Sequence, residues 1–125
     1  MSKFASTNVH GEPLAPCGHD PVTGFFRDGC CNTGHEDGGM HTVCAQVTRA
    51  FLEFSKACGN DLTQPFPEAG FPGLRPGDRW CLCASRWVEA YRAGVAPPVD
   101  LDATHEETLA VIGLATLREY ALDPG

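Results

Sequence analysis

The stretch Gly77-Asp78-Arg79-Trp80-Cys81-Leu82-Cys83-Ala84 decides how the chain is read, because it has the apolar density of a buried strand and runs straight into a helical pattern. Side chains alternate along a strand, so Cys81 and Cys83 project from one face. Such neighbours stand about 6.5 to 7 Å apart at Cα, at or beyond the reach of a disulfide, so the two thiols are expected to share a third partner rather than bridge each other. Downstream, Ser85 to Ala93 predicts a helix with Trp87 and Tyr91 on one face, stopped by Gly94 and Pro97-Pro98. A strand over Val99 to Ala103 follows. Thr104 and Glu107 then form a capping box opening a helix through Ile112, and Leu114 to Leu122 makes the last helix, with Leu117 and Ala121 inward.

Upstream, Val43, Ala45 and Val47 alternate with Thr42, Cys44 and Gln46, a half-buried strand with Cys44 on its more polar side. Thr48 caps a helix over Arg49 to Cys58, where Phe51, Phe54 and Cys58 recur at helical spacing and Gly59 supplies the stop. Residues 60 to 78 form a Pro- and Gly-rich connection that Phe66, Phe71 and Leu74 can pack down. Residues 1 to 40 are rich in turn formers; Phe25-Phe26-Arg27 reads as a short strand that Asp28-Gly29 folds back toward Cys30-Cys31. Early strands joined by turns and late helices give an α+β chain, a single compact domain over residues 1–125 with a small mixed sheet and helices packed on one face. The path from Trp80 through Trp87 to Val99 is long enough for one parallel crossover.

The chain has 125 residues, 42% of them hydrophobic, enough for one core without disulfide staples. Its net charge of -7 and scattered arginines oppose a phosphate backbone, so no nucleic-acid role is expected. No apolar run approaches the roughly 18 to 20 residues of a membrane span, and Met1-Ser2-Lys3-Phe4-Ala5-Ser6-Thr7-Asn8 lacks the apolar core of a secretion signal. The expectation is a cytoplasmic protein without a membrane partner, with its thiols free, an odd seven being unable to pair completely.

Chemistry is sought among the seven cysteines and five histidines, although none of their spacings matches a zinc knuckle or a thioredoxin-like motif. A zinc site needs about four ligands at roughly 2.0 to 2.3 Å. Cys81 and Cys83 could be joined by Cys44, Cys31 or His41 if the Thr42 strand lies beside the Trp80 strand. The competing reading is that these cysteines are small apolar filler, as Cys17 and Cys58 are read. For nucleophilic chemistry the candidates are Cys44, His41 and His105. His41 and Cys44 face opposite ways on a regular strand, and His105, next to the expected cap Thr104, is held neutral by the helix dipole. Trp80, Trp87 and Tyr91 read as core.

Gly11-Glu12-Pro13-Leu14, Cys17 with Asp20-Pro21-Val22-Thr23-Gly24-Phe25, His41-Thr42-Val43-Cys44-Ala45, Phe51-Leu52-Glu53-Phe54-Ser55-Lys56, Gly59-Asn60-Asp61-Leu62, Gly77 to Cys83, Gly94 to Val99 and Ala103-Thr104-His105-Glu106 form one set. Together they resemble a family of small bacterial proteins catalogued as a domain of unknown function, DUF2237. The resemblance covers nearly the whole chain. It implies a compact α+β domain and brings no activity, substrate or cofactor. In the family pattern Cys30 and Cys58 fall at positions held by other residues, which sets those two thiols aside.

Three functions compete: a cytosolic binding protein with a Cys/His-lined site suited to a transition metal such as zinc, a thiol enzyme with a cysteine nucleophile and a histidine base, and an interaction module using the Phe-rich loop.

Overall fold

A computed structural model describes residues 6–122. The first five residues, part of the stretch read for a secretion signal, lie outside it. Two strands, β1 (His41–Gln46) and β2 (Arg79–Cys83), pair antiparallel, with Cys44 opposite Cys81 and Ala45 opposite Trp80. Helix α1 (Arg49–Ala57) follows β1, α2 (Ala84–Arg92) follows β2, and α3 (Leu114–Glu119) closes the chain. The α+β class is as expected, but the sheet is a two-stranded ribbon. The strand expected at Val99 to Ala103 is reduced to single bridges from Val99 to Ala45 and to Ala121, because residues 101–103 turn into a 3-10 helix with Asp100 as its cap.

The ribbon buries both faces. Val43, Ala45, Trp80 and Leu82 point to the main core, where Phe51 and Leu52 of α1, Trp87 and Ala90 of α2, and Leu117 of α3 meet them. Cys44 and Cys81 point the other way, into a second cluster with Cys17, Cys31 and Ala103. Cys44 therefore lies in a dry sulfur-lined layer rather than on a polar side. The ribbon's outer edges are closed too. The Gln46 N–H donates to Pro98 O and the Asp100 N–H to Cys44 O along β1, while the Cys81 N–H donates to Thr23 Oγ1 along β2. Unpaired edges invite pairing with other chains, and these caps remove that liability.

Local chemistry explains the helices. Thr48 Oγ1 accepts from the Phe51 N–H, the N-cap anticipated from sequence. The inward stripe of α1 is Phe51, Leu52 and Ser55; Cys58 sits at the C-cap and is exposed, and the Ser55 hydroxyl donates to Asn60 O to close that end. Trp87 is buried, donates from Nε1 to Pro97 O, and stacks on Tyr91, which is itself more than a third exposed. Instead of Thr104, His105 caps the segment Glu106–Ala110, a 3-10 helix, through Nδ1 accepting from the Glu107 N–H. Thr104 is drawn inward, accepting from the Cys44 N–H and donating to Asp100 O. Phe25-Phe26-Arg27 forms no strand: Gly24 and Arg27, both at positive φ, bend it into a turn. No helix among the described residues is long and apolar enough to cross a membrane.

Thr104 is the one side chain that answers the Cys44 amide, so Thr104→Val should strand a buried donor. An unfolding midpoint in urea lowered by the equivalent of about 2 kcal/mol, at unchanged slope, is the expected result.

Candidate functional site

Sulfur dominates the second cluster. Cys17 is bonded to Cys44 and Cys31 to Cys81, so each disulfide ties an N-terminal loop to one strand of the ribbon. The loops are led there by hydrogen bonds from the Cys17 and Gly18 N–H groups to Gly29 O and by the Thr23 contact to β2. The two disulfides touch: Sγ of Cys17, Cys31 and Cys81 lie within 4.8 Å of one another. All four cysteines are buried.

Of the residues expected to share a metal, Cys81, Cys44 and Cys31 are brought together, whereas Cys83 and His41 stand outside. Cys17, read as filler, is the fourth member, and no spacing rule signals it because it reaches the cluster only through tertiary folding. The free-thiol expectation is corrected: Cys30, Cys58 and Cys83 alone are unpaired. Cys44, a nucleophile candidate, is bonded and without exposed surface.

His41 has a different role from the one its spacing implied. The register shifts between His41 and Val43, leaving Thr42 as an extra residue, so that His41 stands opposite Cys83 while Val43 stands opposite Leu82. A β-bulge of this kind reverses the alternation and brings His41 onto the same face as Cys44, Cys81 and Cys83. Its ring is then anchored. Asp37, whose side chain is wholly buried, accepts from the His41 N–H at 2.8 Å, pairs with Nδ1 at 2.6 Å, and accepts from Thr33 Oγ1. A carboxylate only accepts, so Nδ1 carries the proton and Nε2 is the free nitrogen. Nothing in the spacing of the sequence singled out Asp37.

Beside this pair lies a cavity of about 440 Å³ lined by Phe25, Arg27, His41, Phe66, Phe71 and Trp80, with Cys81 also on its wall. Phe25 stacks on the His41 ring at 6.0 Å, and the Arg27 guanidinium sits 5.1 Å from the centre of the Trp80 ring. Phe71 is 8% exposed and packs on Trp80, while Phe66 is 52% exposed at the mouth, so the Phe-rich loop is partly structural and partly an open rim. Arg27 and Met40 hold φ of 55° and 50°, unusual for residues with a Cβ and frequent around functional sites.

His105 is not part of this pair: its backbone N–H donates to Thr42 O and its ring is buried over the 3-10 turn. Burial pushes its imidazole below the ordinary 6.5, against the opposing pull of the Glu107 and Glu106 carboxylates. The unfolded chain then takes up the proton first as pH falls, so this histidine's contribution is complete above pH 6.5 and declines below it. An NMR titration midpoint under 6.5 for His105, and a weaker loss of stability between about pH 7 and 5 in His105→Asn, which keeps a capping acceptor, are the expected outcomes.

The disulfides close separations of 27 and 50 residues, each worth about 3 to 4 kcal/mol by loop-closure entropy. Alkylation of the unreduced folded protein followed by mass spectrometry should block three thiols, Cys30, Cys58 and Cys83, and seven after reduction and unfolding. Labelling of Cys17 or Cys31 before reduction would contradict the pairing.

No curated protein matches the chain. A family model described as an uncharacterized protein conserved in bacteria, DUF2237, matches residues 7–121, and the chain belongs to that family.

Proposed function

We propose that the protein is a small binding protein in which Cys17, Cys31, Cys44 and Cys81, as thiolates, hold one transition-metal ion, with zinc the ion best suited to the set. The observation that supports this reading is convergence: three of the sulfurs lie within 4.8 Å of one another and the fourth is bonded to one of them. A zinc ion with Zn–S bonds of about 2.3 Å spaces its sulfurs about 3.8 Å apart, so opening the two disulfides asks for side-chain movements rather than a new fold. An all-sulfur set favours soft ions such as zinc or Cu(I) over magnesium or calcium. Burial of all four sulfurs suits a closed site that holds its ion for folding or storage, not one with an open catalytic position.

Each disulfide takes two electrons from a thiol reductant to give two thiols, and the metal then displaces their protons. His41 and Cys83 are free for other work in this arrangement.

Protein reduced and kept free of oxygen, then titrated with zinc against a colorimetric chelator, should take up about one ion per chain, leaving three thiols open to alkylation. Cys31→Ser should weaken binding by more than about 100-fold, the upper end of what loss of a ligand's supporting partner costs. Uptake of less than about a tenth of an ion per chain by fully reduced, folded protein would overturn the proposal.

A further inference from the structure

Cys83 is one of three unpaired thiols that the sulfur cluster leaves out, and its surroundings are organised. It faces His41 across the ribbon and is partly exposed. Gly39 lies against both: a Cβ built on it would stand 3.0 Å from His41 Cε1 and 3.5 Å from Cys83 Sγ. The ring and the sulfur therefore flank one spot from which a side chain is absent. Behind the ring, buried Asp37 fixes Nδ1 and leaves Nε2 free. Cys83 is also the N-cap of α2, yet its side chain makes no capping hydrogen bond; its sulfur lies 3.1 Å from Ser85 Oγ instead. The Ala84 N–H at that end is taken by Met40 O, so of the first turn it is the Ser85 and Arg86 amides that can meet a developing negative charge. Next to His41 is the aromatic cavity, whose rim residues Phe25 and Phe66 are exposed.

We propose that Cys83, His41 and Asp37 form a thiol nucleophile centre that hydrolyses an activated acyl compound, an ester or thioester whose apolar, aromatic-sized acyl part sits in this cavity. His41 Nε2 takes the thiol proton as Cys83 Sγ bonds to the carbonyl carbon. The carbonyl oxygen bears the charge toward the first-turn amides of α2, and the leaving group departs with the proton from His41. Water then attacks the thioester, His41 takes its proton and returns it to the sulfur, and a carboxylic acid leaves. The balance is one acyl compound and one water in, one acid and one alcohol or thiol out. Cys83 and His41 are the catalytic residues and Asp37 a positioning residue, in the pattern of nucleophile, base and orienting group.

The test uses the oxidised protein, in which four cysteines are locked and the exposed Cys58 serves as an internal reference. With p-nitrophenyl phenylacetate, a burst of nitrophenolate is expected, with the acyl adduct on the Cys83 peptide and faster turnover than with p-nitrophenyl acetate. Iodoacetamide should label Cys83 at least about tenfold faster than Cys58 despite its lower exposure. His41→Gln should slow acylation by about 100-fold or more while the Cys58 labelling rate stays unchanged. Asp37→Asn should lower kcat with KM unchanged; if that variant fails to fold, His41→Gln decides alone. An adduct shared evenly among Cys30, Cys58 and Cys83, labelling of Cys83 no faster than Cys58, or an unaltered rate in His41→Gln would each overturn the proposal. None of these results depends on whether the reduced cluster binds a metal.

Discussion

The antiparallel contact between Cys44 and Cys81 is the constraint on which the molecule rests. It sets the register that sends Val43, Ala45, Trp80 and Leu82 to the helices, and it sets two cysteines side by side on the opposite face. A one-residue slip would exchange the two faces, putting sulfur against Trp87 and branched aliphatics against the N-terminal loops. Two strands rarely suffice for a stable sheet. Here the ribbon persists because both faces are buried and both edges are capped, by the Pro98 to Asp100 segment on one side and by Thr23 on the other.

Polar groups next to the ribbon are spent on holding irregular backbone rather than on regular structure. Asn8 offers its carboxamide to Asp102 O and accepts from the His10 and Glu12 N–H groups, Thr42 and Thr108 join hydroxyls, and Thr104 answers Cys44. Buried threonines and asparagines in such number are what a loop-rich half needs, since every buried amide away from a ladder requires a partner. The same economy produces Asp37, a buried carboxylate that closes its own turn and orients a histidine in one arrangement.

Elements governed by local rules were legible in the sequence. Thr48 announced α1, the Trp87 and Tyr91 spacing announced α2, and the alternation around Val43 announced β1, each within a residue or two of the observed bounds. What escaped was decided at long range. Val99 has the makings of a strand, but Asp100 turns the chain by capping the next 3-10 turn. Thr104 looks like an N-cap, but the unpaired amide of Cys44 claims its hydroxyl. Cys17 looks like filler until its loop is folded over β1. The site suffered most from the bulge at Thr42: alternation taken at face value separates His41 from the cysteine face, and a single inserted residue, invisible to any periodicity argument, restores it.

The two cross-links have a mechanical consequence. Each runs between the N-terminal wrap and the ribbon, and neither joins two points within the helical half. Cutting them leaves that wrap held to the ribbon by hydrogen bonds and packing alone, so its amides are the ones expected to exchange with solvent ahead of those of α1 and α2.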